Sequence, residues 1–362
     1  MTSNAGERNE KIHKLLVQLL REGKKNRAVI SDTLKDEVES LFTTHIWGHR
    51  EIVLTIIMGM LFDHRYHASK DLYACNPRSI YEKPIRTFFR EHGIPHKKSG
   101  PLNVAKNSKR ISNEWANNKR GDDIAKNVVR IVKTLETMDR NELEYFASAY
   151  IVRYAKEAGR VKRLSYTPTA SEDPIQLSNL AETLIVNVPD GGATPQIIVG
   201  LLIETANKNR GNAVTVSGHL DSVSTTNTTS KKSGDIIEQL PSGNLVYEIT
   251  VKKFDADRLR ESYEAIKANP NTANVQQVFV ISRPQDVHPE AASLGSSIIL
   301  GLLVHEDVVY YFVNLFEWIR STLLFMTPKG RAVFHNALID HINETNTSEK
   351  VKLYFKNYYE KN

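Results

Sequence analysis

The spacing of apolar residues changes partway along the chain, and this change limits the folds that the sequence can adopt. Up to residue 160, apolar positions recur three and four apart, as in Asn9–Leu20, which is the pattern of amphipathic helices. Beyond residue 185, short β-branched runs such as Val275–Ser282 alternate with helical patterns. The sequence therefore predicts an α/β protein, with a mainly helical N-terminal domain followed by a mixed β-sheet flanked by helices.

The segment 161–185 separates the two patterns. It begins VKRLSYTPTASEDP, which is rich in Ser, Thr and Pro and basic at its start. This composition is typical of a linker or of an extended arm that crosses a surface. We expect a helical domain over residues 1–160, a linker or arm over 161–185, and a catalytic domain over 186–362.

The individual elements follow from the same periodicities. The predicted N-terminal helices are Asn9–Leu20, Glu51–Phe62, Asp122–Asp139 and Arg140–Lys156. The predicted C-terminal helices are Pro195–Lys208, Asp255–Lys267, Val308–Arg320 and Arg331–Ile342. The predicted strands are Ala213–Ser217, Ser233–Ile237, Leu245–Lys252 and Val275–Ser282, with a turn around Pro241–Gly243 joining the middle two.

The single cysteine, Cys75, excludes an internal disulfide and a zinc site built from several thiolates. A metal ion would then be held by carboxylates, histidines or carbonyls, and oxygen ligands favour magnesium, manganese or calcium. The sequence contains no P-loop, no dinucleotide-binding glycine pattern and no HExxH motif. ATP-driven translocation by this chain is therefore not expected.

No apolar run approaches the length of about eighteen residues that a membrane-spanning helix needs. The N-terminus, MTSNAGERNEKIHK, is polar and charged, unlike a secretory signal. We expect a cytoplasmic protein without a membrane partner.

The net charge is +6 and the sequence pI is about 9.1, which favours a polyanionic partner. Basic residues concentrate in His96–Lys109, Arg160–Arg163 and Lys231–Lys232, and few acidic residues lie near the first of these. This distribution fits contacts to phosphates, although a solvated lysine surface has the same composition.

The stretch Ser233–Lys253, SGDIIEQLPSGNLVYEITVKK, carries the residues that suit metal-dependent hydrolysis. Cleaving a phosphodiester needs a divalent ion that neutralises developing charge and activates water. One carboxylate from each of two adjacent strands can hold that ion. Asp235 and Glu248 lie thirteen positions apart on opposite arms of the predicted turn, so they can face each other. The carbonyl of Ile249 is a natural third oxygen ligand.

Gly-Asp-Ile at residues 234–236, followed by a hydrophobic strand that bears Glu248, resembles the PD-(D/E)xK nuclease superfamily. That superfamily includes most type II restriction endonucleases. The resemblance implies a divalent metal, Mg²⁺, on the aspartate and the glutamate, and a lysine near the attacking water.

The lysine of that pattern is displaced in this chain. In the family it follows the glutamate by two residues, roughly 6–7 Å along the strand, whereas here Thr250 takes that position and Lys252 lies roughly 13 Å on. In one interpretation Glu248 is the metal ligand and Thr250 fills the lysine position, with Lys252 assisting through its reach. In the other, Lys252 is the usual lysine, Thr250 takes the glutamate position, and Glu261 or Glu264 supplies the missing charge. We prefer the first, which keeps two carboxylates opposite each other.

Glu204 is a further candidate for the catalytic site. It lies on the predicted helix just before the core strands, where nuclease folds of this kind often place a glutamate beside the metal. The simpler structural explanation of the acid pair is that Asp235 is a turn residue and Glu248 an exposed strand residue, since strands with one polar face are common.

A second resemblance lies in the N-terminal half. The run Asn76–Asn107, NPRSIYEKPIRTFFREHGIPHKKSGPLNVAKN, followed by Asn113–Ala116, resembles a block found in SacI-type restriction endonucleases. We expect its aromatic residues Phe88, Phe89 and Trp115 to belong to the core. The candidate DNA contacts in this block are polar or basic: Lys97, Lys98, Ser99, Asn103 and Lys106.

The segment Ser217–Asp235 is dense in side chains that can read base edges and leads into the first acidic strand. An ordinary polar loop has the same composition. The candidate DNA-facing residues in it are His219, Asp221, Asn227 and Lys232.

Together these features predict a type II site-specific deoxyribonuclease that hydrolyses double-stranded DNA with Mg²⁺ in a restriction–modification system. Family analogy adds a homodimer, because a two-fold dimer cuts both strands of a palindrome most simply, and a DNA methyltransferase encoded nearby. Two alternatives stay open: a structure-specific repair or mobile-element nuclease, and a DNA-binding module that has lost its activity.

Overall fold

The computed structural model describes residues 3–119, 122–212, 214–220, 233–241 and 243–361. The chain divides into two units, Met1–Arg163 and Leu164–Asn362. Separate clusters of buried apolar side chains form the core of each unit. The α/β class predicted from the sequence is confirmed, with helices first and a sheet after them.

The N-terminal unit is helical and its central element is a buried helix. That helix, GHREIVLTIIMGMLF, is buried from Gly48 to Leu61, as expected for a segment that is apolar on nearly every side. A capping box, in which Asp139 and Glu142 exchange hydrogen bonds, starts the long helix that follows later in the unit. The helices are α1 (Ser3–Lys25), α2 (Lys35–Thr43), α3 (Gly48–Phe62), α4 (Pro77–Ile80), α5 (Arg86–Glu91), α6 (Leu102–Ala105), α7 (Asn113–Asn117), α8 (Asp122–Leu135) and α9 (Arg140–Lys162).

The stretch between α3 and α8 is made of short helices joined by turns. Its aromatic residues are core residues, as expected: Phe88, Phe89 and Trp115 are buried. The indole Nε1 of Trp115 donates to the carbonyl of Val104 at 3.1 Å, which ties α7 to the end of α6. Helix α6 is thereby fixed against the unit's core.

In the C-terminal unit, the described residues form one mixed sheet of seven strands in the order β1-β2-β3-β4-β7-β6-β5. The pairs β3–β4 and β4–β7 are parallel, and the other neighbouring pairs are antiparallel. The strands are β1 (Thr215–Ser217), β2 (Ile236–Leu240), β3 (Gly243–Thr250), β4 (Gln277–Ser282), β5 (Ala292–Ser293), β6 (Ile299–His305) and β7 (Val308–Asn314).

Helices cover both faces of this sheet. One helix, α12 (Ala256–Ala268), connects β3 to β4 and packs its apolar side chains with Val246 of β3. The opposite face packs Tyr247 and Ile249 against the remaining helices. Those helices are α10 (Pro174–Asn187), α11 (Ala193–Asn209), α13 (Leu315–Leu324), α14 (Pro328–Asn343) and α15 (Glu349–Lys361).

Two predictions of elements in this unit are wrong. Val308–Arg320 is not one helix, because Val308–Asn314 forms β7 and α13 begins only at Leu315. Asn314 makes the change of structure by accepting hydrogen bonds from the N–H groups of Phe316 and Glu317. A continuous apolar run has no periodicity that distinguishes a buried strand from a buried helix.

The linker predicted over residues 161–185 is also too long. Its second half belongs to α10, where Leu177, Leu180 and Leu184 are buried in the core of the C-terminal unit. Asp173 caps this helix and Pro174 occupies its first turn, so the polar composition that indicated a linker marks the start of a helix instead.

Within the described residues, the longest apolar helices are too short or too polar to span a bilayer.

Candidate active site

The β2–β3 hairpin brings Asp235 and Glu248 together on one face of the sheet. Asp235 directly precedes β2, and its N–H donates to the carbonyl of Tyr247 at 3.0 Å. Its carboxylate accepts the N–H of Ile249 at 2.8 Å, so this side chain continues the pairing between the two strands after the β2 ladder has ended. The prediction placed Asp235 inside the strand, whereas β2 begins one residue later, at Ile236.

Gly234 lets the two acidic segments approach closely. A Cβ at this position would lie 2.6 Å from a methyl group of Val246, which is far inside van der Waals contact. It would also lie 3.7 Å from Oε1 of Glu248. Any other residue here would force the start of β2 away from β3 and separate the acid pair.

Glu248 is buried, with 4% of its surface exposed, and faces α12. Its Oε1 accepts a hydrogen bond from Oγ of Ser262 at 2.9 Å. Burial, and next the negative charge of Asp235, raise the pKa of Glu248 to about 8, while Ser262 and Arg258 act in the opposite direction. At neutral pH this carboxyl therefore carries a proton when no cation is beside it. It is not the exposed strand residue of the simpler explanation.

Thr250 is buried at the end of β3, and its hydroxyl is fully used by neighbouring groups. Its Oγ1 donates to the carbonyl of Lys252 at 2.7 Å and accepts the N–H of the same residue at 3.0 Å. It also accepts a hydrogen bond from Nη1 of Arg258. The strand ends here, so Lys252 lies beyond it and is exposed. Thr250 thus closes a turn.

Arg258 is a site residue that the sequence analysis missed. It lies in the first turn of α12, half-buried, with its guanidinium carbon 5.2 Å from the ring centroid of Phe254. Through Thr250 it places a permanent positive charge at the end of β3, two positions after Glu248. The only signal in the sequence is that α12 begins soon after β3, with Asp255 as its N-cap.

The two acids considered for the alternative interpretation, Glu261 and Glu264, are exposed on α12. Ser262, between them, is the residue of this helix that contacts Glu248. The geometry therefore favours Glu248 as the acid opposite Asp235.

Glu204 lies on α11, where it contacts His219 and Lys208. Its Oε2 is 3.5 Å from Nε2 of His219, and its Oε1 is 2.6 Å from Nζ of Lys208. One turn earlier on the helix, a Cβ at Gly200 would overlap the His219 side chain at 2.0 Å. His219 is consequently 4% exposed, so our prediction that it faces DNA is corrected: its ring packs into α11.

Helix α11 also supports the backbone at the acid pair. Nε2 of Gln196 donates to the carbonyl of Gly218 at 2.9 Å and to that of Asp235 at 3.4 Å. Gln196 and Glu204 are eight residues apart on one face of the helix. Because Glu204 contacts His219, we assign it the role of positioning His219, which follows β1.

The remaining predicted DNA contacts fall into two groups. Asp221, Asn227 and Lys232 lie outside the described residues. The others belong to the N-terminal unit and are exposed on the loop before α6 or on and just after that helix: Lys97, Lys98, Ser99, Asn103 and Lys106.

No protein-family model matches this chain, and no curated protein matches it in sequence. The assignment of function therefore depends on the geometry of the two units and on the residues themselves.

Proposed function

We propose that this chain is a Mg²⁺-dependent nuclease that hydrolyses phosphodiester bonds of double-stranded DNA at specific sites, as type II restriction endonucleases do. The observation that carries the proposal is the convergence of Asp235 and Glu248 at the end of two paired strands, where burial and the charge of Asp235 raise the pKa of Glu248. Helix α11, strands β1 to β3, helix α12 and strand β4 follow one another in the chain, and the pairing of β2 with β3 places Asp235 opposite Glu248, which supports the proposal.

The residues present fit a hard divalent cation. Asp235 and Glu248, with the carbonyl of Ile249, would hold Mg²⁺ through oxygen atoms alone. Among the described residues, no group of three or more His, Cys, Asp or Glu is arranged for a metal. This is compatible with Mg²⁺, which commonly takes one or two carboxylates and completes its coordination with water and phosphate oxygens.

Mg²⁺ in this position supplies charge neutralisation and a more acidic water. The protein groups hold the geometry: the Ile249 N–H orients Asp235, and the Ser262 hydroxyl orients Glu248. A bound cation would offset both carboxylates and so would favour the ionised form of Glu248. Arg258 supplies the positive charge near the phosphate that the missing lysine would otherwise provide.

The test is cleavage of plasmid DNA in Mg²⁺ by the wild type and by Asp235→Ala, with DNA binding measured in Ca²⁺. We expect the variant to lose cutting and to bind DNA as the wild type does. Glu261→Gln and Glu264→Gln are matched controls, since each removes an exposed carboxylate of α12 and should leave cutting unchanged. Normal cutting by Asp235→Ala would remove the proposed site. Loss of cutting in either control would support the alternative with Lys252 as the active lysine.

The cleavage products separate the candidate functions. Discrete fragments support restriction, and nicking that depends on DNA structure supports a repair or mobile-element nuclease. Binding without cleavage supports an inactive DNA-binding module. This is the second candidate, because the Thr250 hydroxyl is already occupied by hydrogen bonds to Lys252. A restriction enzyme of this kind would also form a homodimer, measurable by light scattering, and be encoded beside a DNA methyltransferase.

A further inference from the structure

The first turn of helix α3 contains three consecutive buried polar residues, and the imidazole of the first of them, His49, has no hydrogen-bond partner among the described residues. Arg50 donates to the carbonyl of Pro95 at 3.0 Å, and Glu51 accepts the N–H of Lys97 at 2.8 Å. His49 is 0% exposed, yet neither of its ring nitrogens has a partner among the described residues. An unpaired buried imidazole costs free energy that a bound ligand with suitable donors and acceptors would recover.

His49 lines a cavity of about 340 Å³ at the N-terminus of α3. Lys97, Asn103 and Lys119 contribute to the same wall, and no Asp or Glu belongs to its described lining. Gly48, the first residue of α3, lines the cavity as well, and the positive end of the helix dipole at this terminus favours an anion. The chemistry of this wall suits an oxyanion with several hydrogen-bond acceptors.

The charge states of the buried groups are compatible with an anion. Burial, and then the charge of Lys119, lower the pKa of His49 to about 4, so its neutral ring presents one N–H donor. Burial raises the pKa of the Glu51 carboxyl to about 7, so that this neighbour of the cavity repels an anion less than an ordinary glutamate. Nζ of Lys97 lies 4.9 Å from the Trp47 ring centroid, which holds that cation at the cavity.

A second groove, of about 530 Å³, adjoins the first through Lys119, which lines both. Its other cations are Lys70, Lys109 and Arg110. The one acid in its described lining, Glu114, lies 3.6 Å from Arg110. The two cavities share Lys119, and their volumes together exceed what a single phosphate fills, which favours a strand with successive phosphates.

We infer that the cavity at the N-terminus of α3 is an oxyanion site that binds one phosphate of a nucleic acid strand, with His49 as its buried hydrogen-bond donor. The groove lined by Lys70, Lys109 and Arg110 receives the neighbouring phosphates. The choice of nucleic acid rests on the proposed function, whereas the oxyanion site depends only on the cavity.

The experiment measures binding of a fluorescent DNA duplex in Ca²⁺, and binding of inorganic phosphate by calorimetry, on the full chain. Lys119→Gln and His49→Gln should each weaken duplex binding about tenfold, and Lys119→Gln should lower the dependence of log affinity on log salt by about one. Lys133→Gln is the matched control, since it removes an exposed charge of α8 that lines neither cavity, and it should change affinity less than twofold. Phosphate should bind weakly and compete with the duplex.

Three results would overturn the inference. One is equal loss of affinity in Lys119→Gln and Lys133→Gln, which would indicate general surface charge. Another is unchanged binding of duplex and of phosphate in both cavity variants. If His49→Gln does not fold, Lys119→Gln alone decides this test. The third is phosphate binding without competition by the duplex, which would assign the cavity to a free phosphate compound. Plasmid cleavage is measured separately. If the wild type cuts DNA and the cavity variants bind DNA normally, only the proposed phosphate site is rejected. If the cavity binds DNA but the wild type does not cut, only the proposed nuclease function is rejected.

Discussion

The acid pair of the C-terminal unit and the cavity around His49 in the N-terminal unit have opposite charge and opposite responses to protons. Asp235 and Glu248 place two carboxyls together where burial raises the pKa of one of them. Around His49, lysines surround a ring whose pKa burial lowers. Each region buries a polar group whose burial costs free energy in the protein without a ligand. The charge of the first region would be offset by a cation and that of the second by an anion, so the two proposed sites select ligands of opposite charge.

The difference also predicts opposite stability profiles. A carboxyl with a raised pKa stabilises the folded state at low pH and loses that contribution as the pH rises through the folded pKa. A histidine with a lowered pKa stabilises the folded state above its ordinary range and loses that contribution as the pH falls.

The largest effect concerns Glu248, whose pKa of about 8 lies well above its ordinary value of 4.5. Without divalent cations, the free energy of unfolding of the wild type relative to Glu248→Gln should fall by about 1.4 kcal/mol per pH unit as the pH rises from about 5 to about 8. Urea unfolding at a series of pH values measures it. Glu261→Gln should keep the wild-type profile. If the difference in free energy of unfolding between the wild type and Glu248→Gln stayed constant over this pH range, the proton would not be on Glu248.

The next effect concerns the positive charge beside the acid pair. Arg258→Met should reduce the cleavage rate about 100-fold, or about 2.7 kcal/mol, and Arg258→Lys should recover part of it. Arg260→Met, on the same helix but exposed and paired with Asp257, should cut as the wild type does. Lys252→Gln should also retain cutting. If Lys252→Gln lost as much activity as Arg258→Met, the cation of the site would be the lysine, and the role given to Arg258 would be wrong.

The smallest effect is on the stability of the histidine cavity. Because the His49 ring has no hydrogen-bond partner among the described residues, His49→Leu should leave the free energy of unfolding unchanged or raise it by up to about 1 kcal/mol at pH 7. The wild type should lose stability relative to this variant as the pH falls from about 6.5 to about 4, the reverse of the Glu248 profile. Thermal unfolding over this range measures both. A strong destabilisation by His49→Leu at pH 7 would show that the imidazole serves packing.

The sequence predicted the parts of the fold that have long apolar runs or clear turn signals. Helix α3 was found because it is apolar over most of its length, and strand β3 because a largely apolar run follows the turn around Pro241–Gly243. The run over Val308–Asn314 was mistaken for a helix because a continuous apolar segment fits both structures. Segment 174–187 was missed because its capping residues have the composition of a linker.

The candidate site was predicted to a similar extent. Asp235 and Glu248 follow from local pairing across a hairpin, which the sequence makes visible. The role of Arg258 depends on how α12 packs against the end of β3, which residue spacing does not reveal. The isolation of His49 could not be anticipated either, because a hydrogen bond that is not made leaves no mark in the sequence.

The outer strands of the sheet have a consequence for self-association. The sheet ends on β1, with three residues, and on β5, with two, so within the described chain each margin offers little unpaired backbone to another molecule. Joining two copies into one continuous sheet would gain few hydrogen bonds. A homodimer that cuts both strands of DNA would then have to form through side chains on helices or loops, and its affinity would be sensitive to single substitutions there.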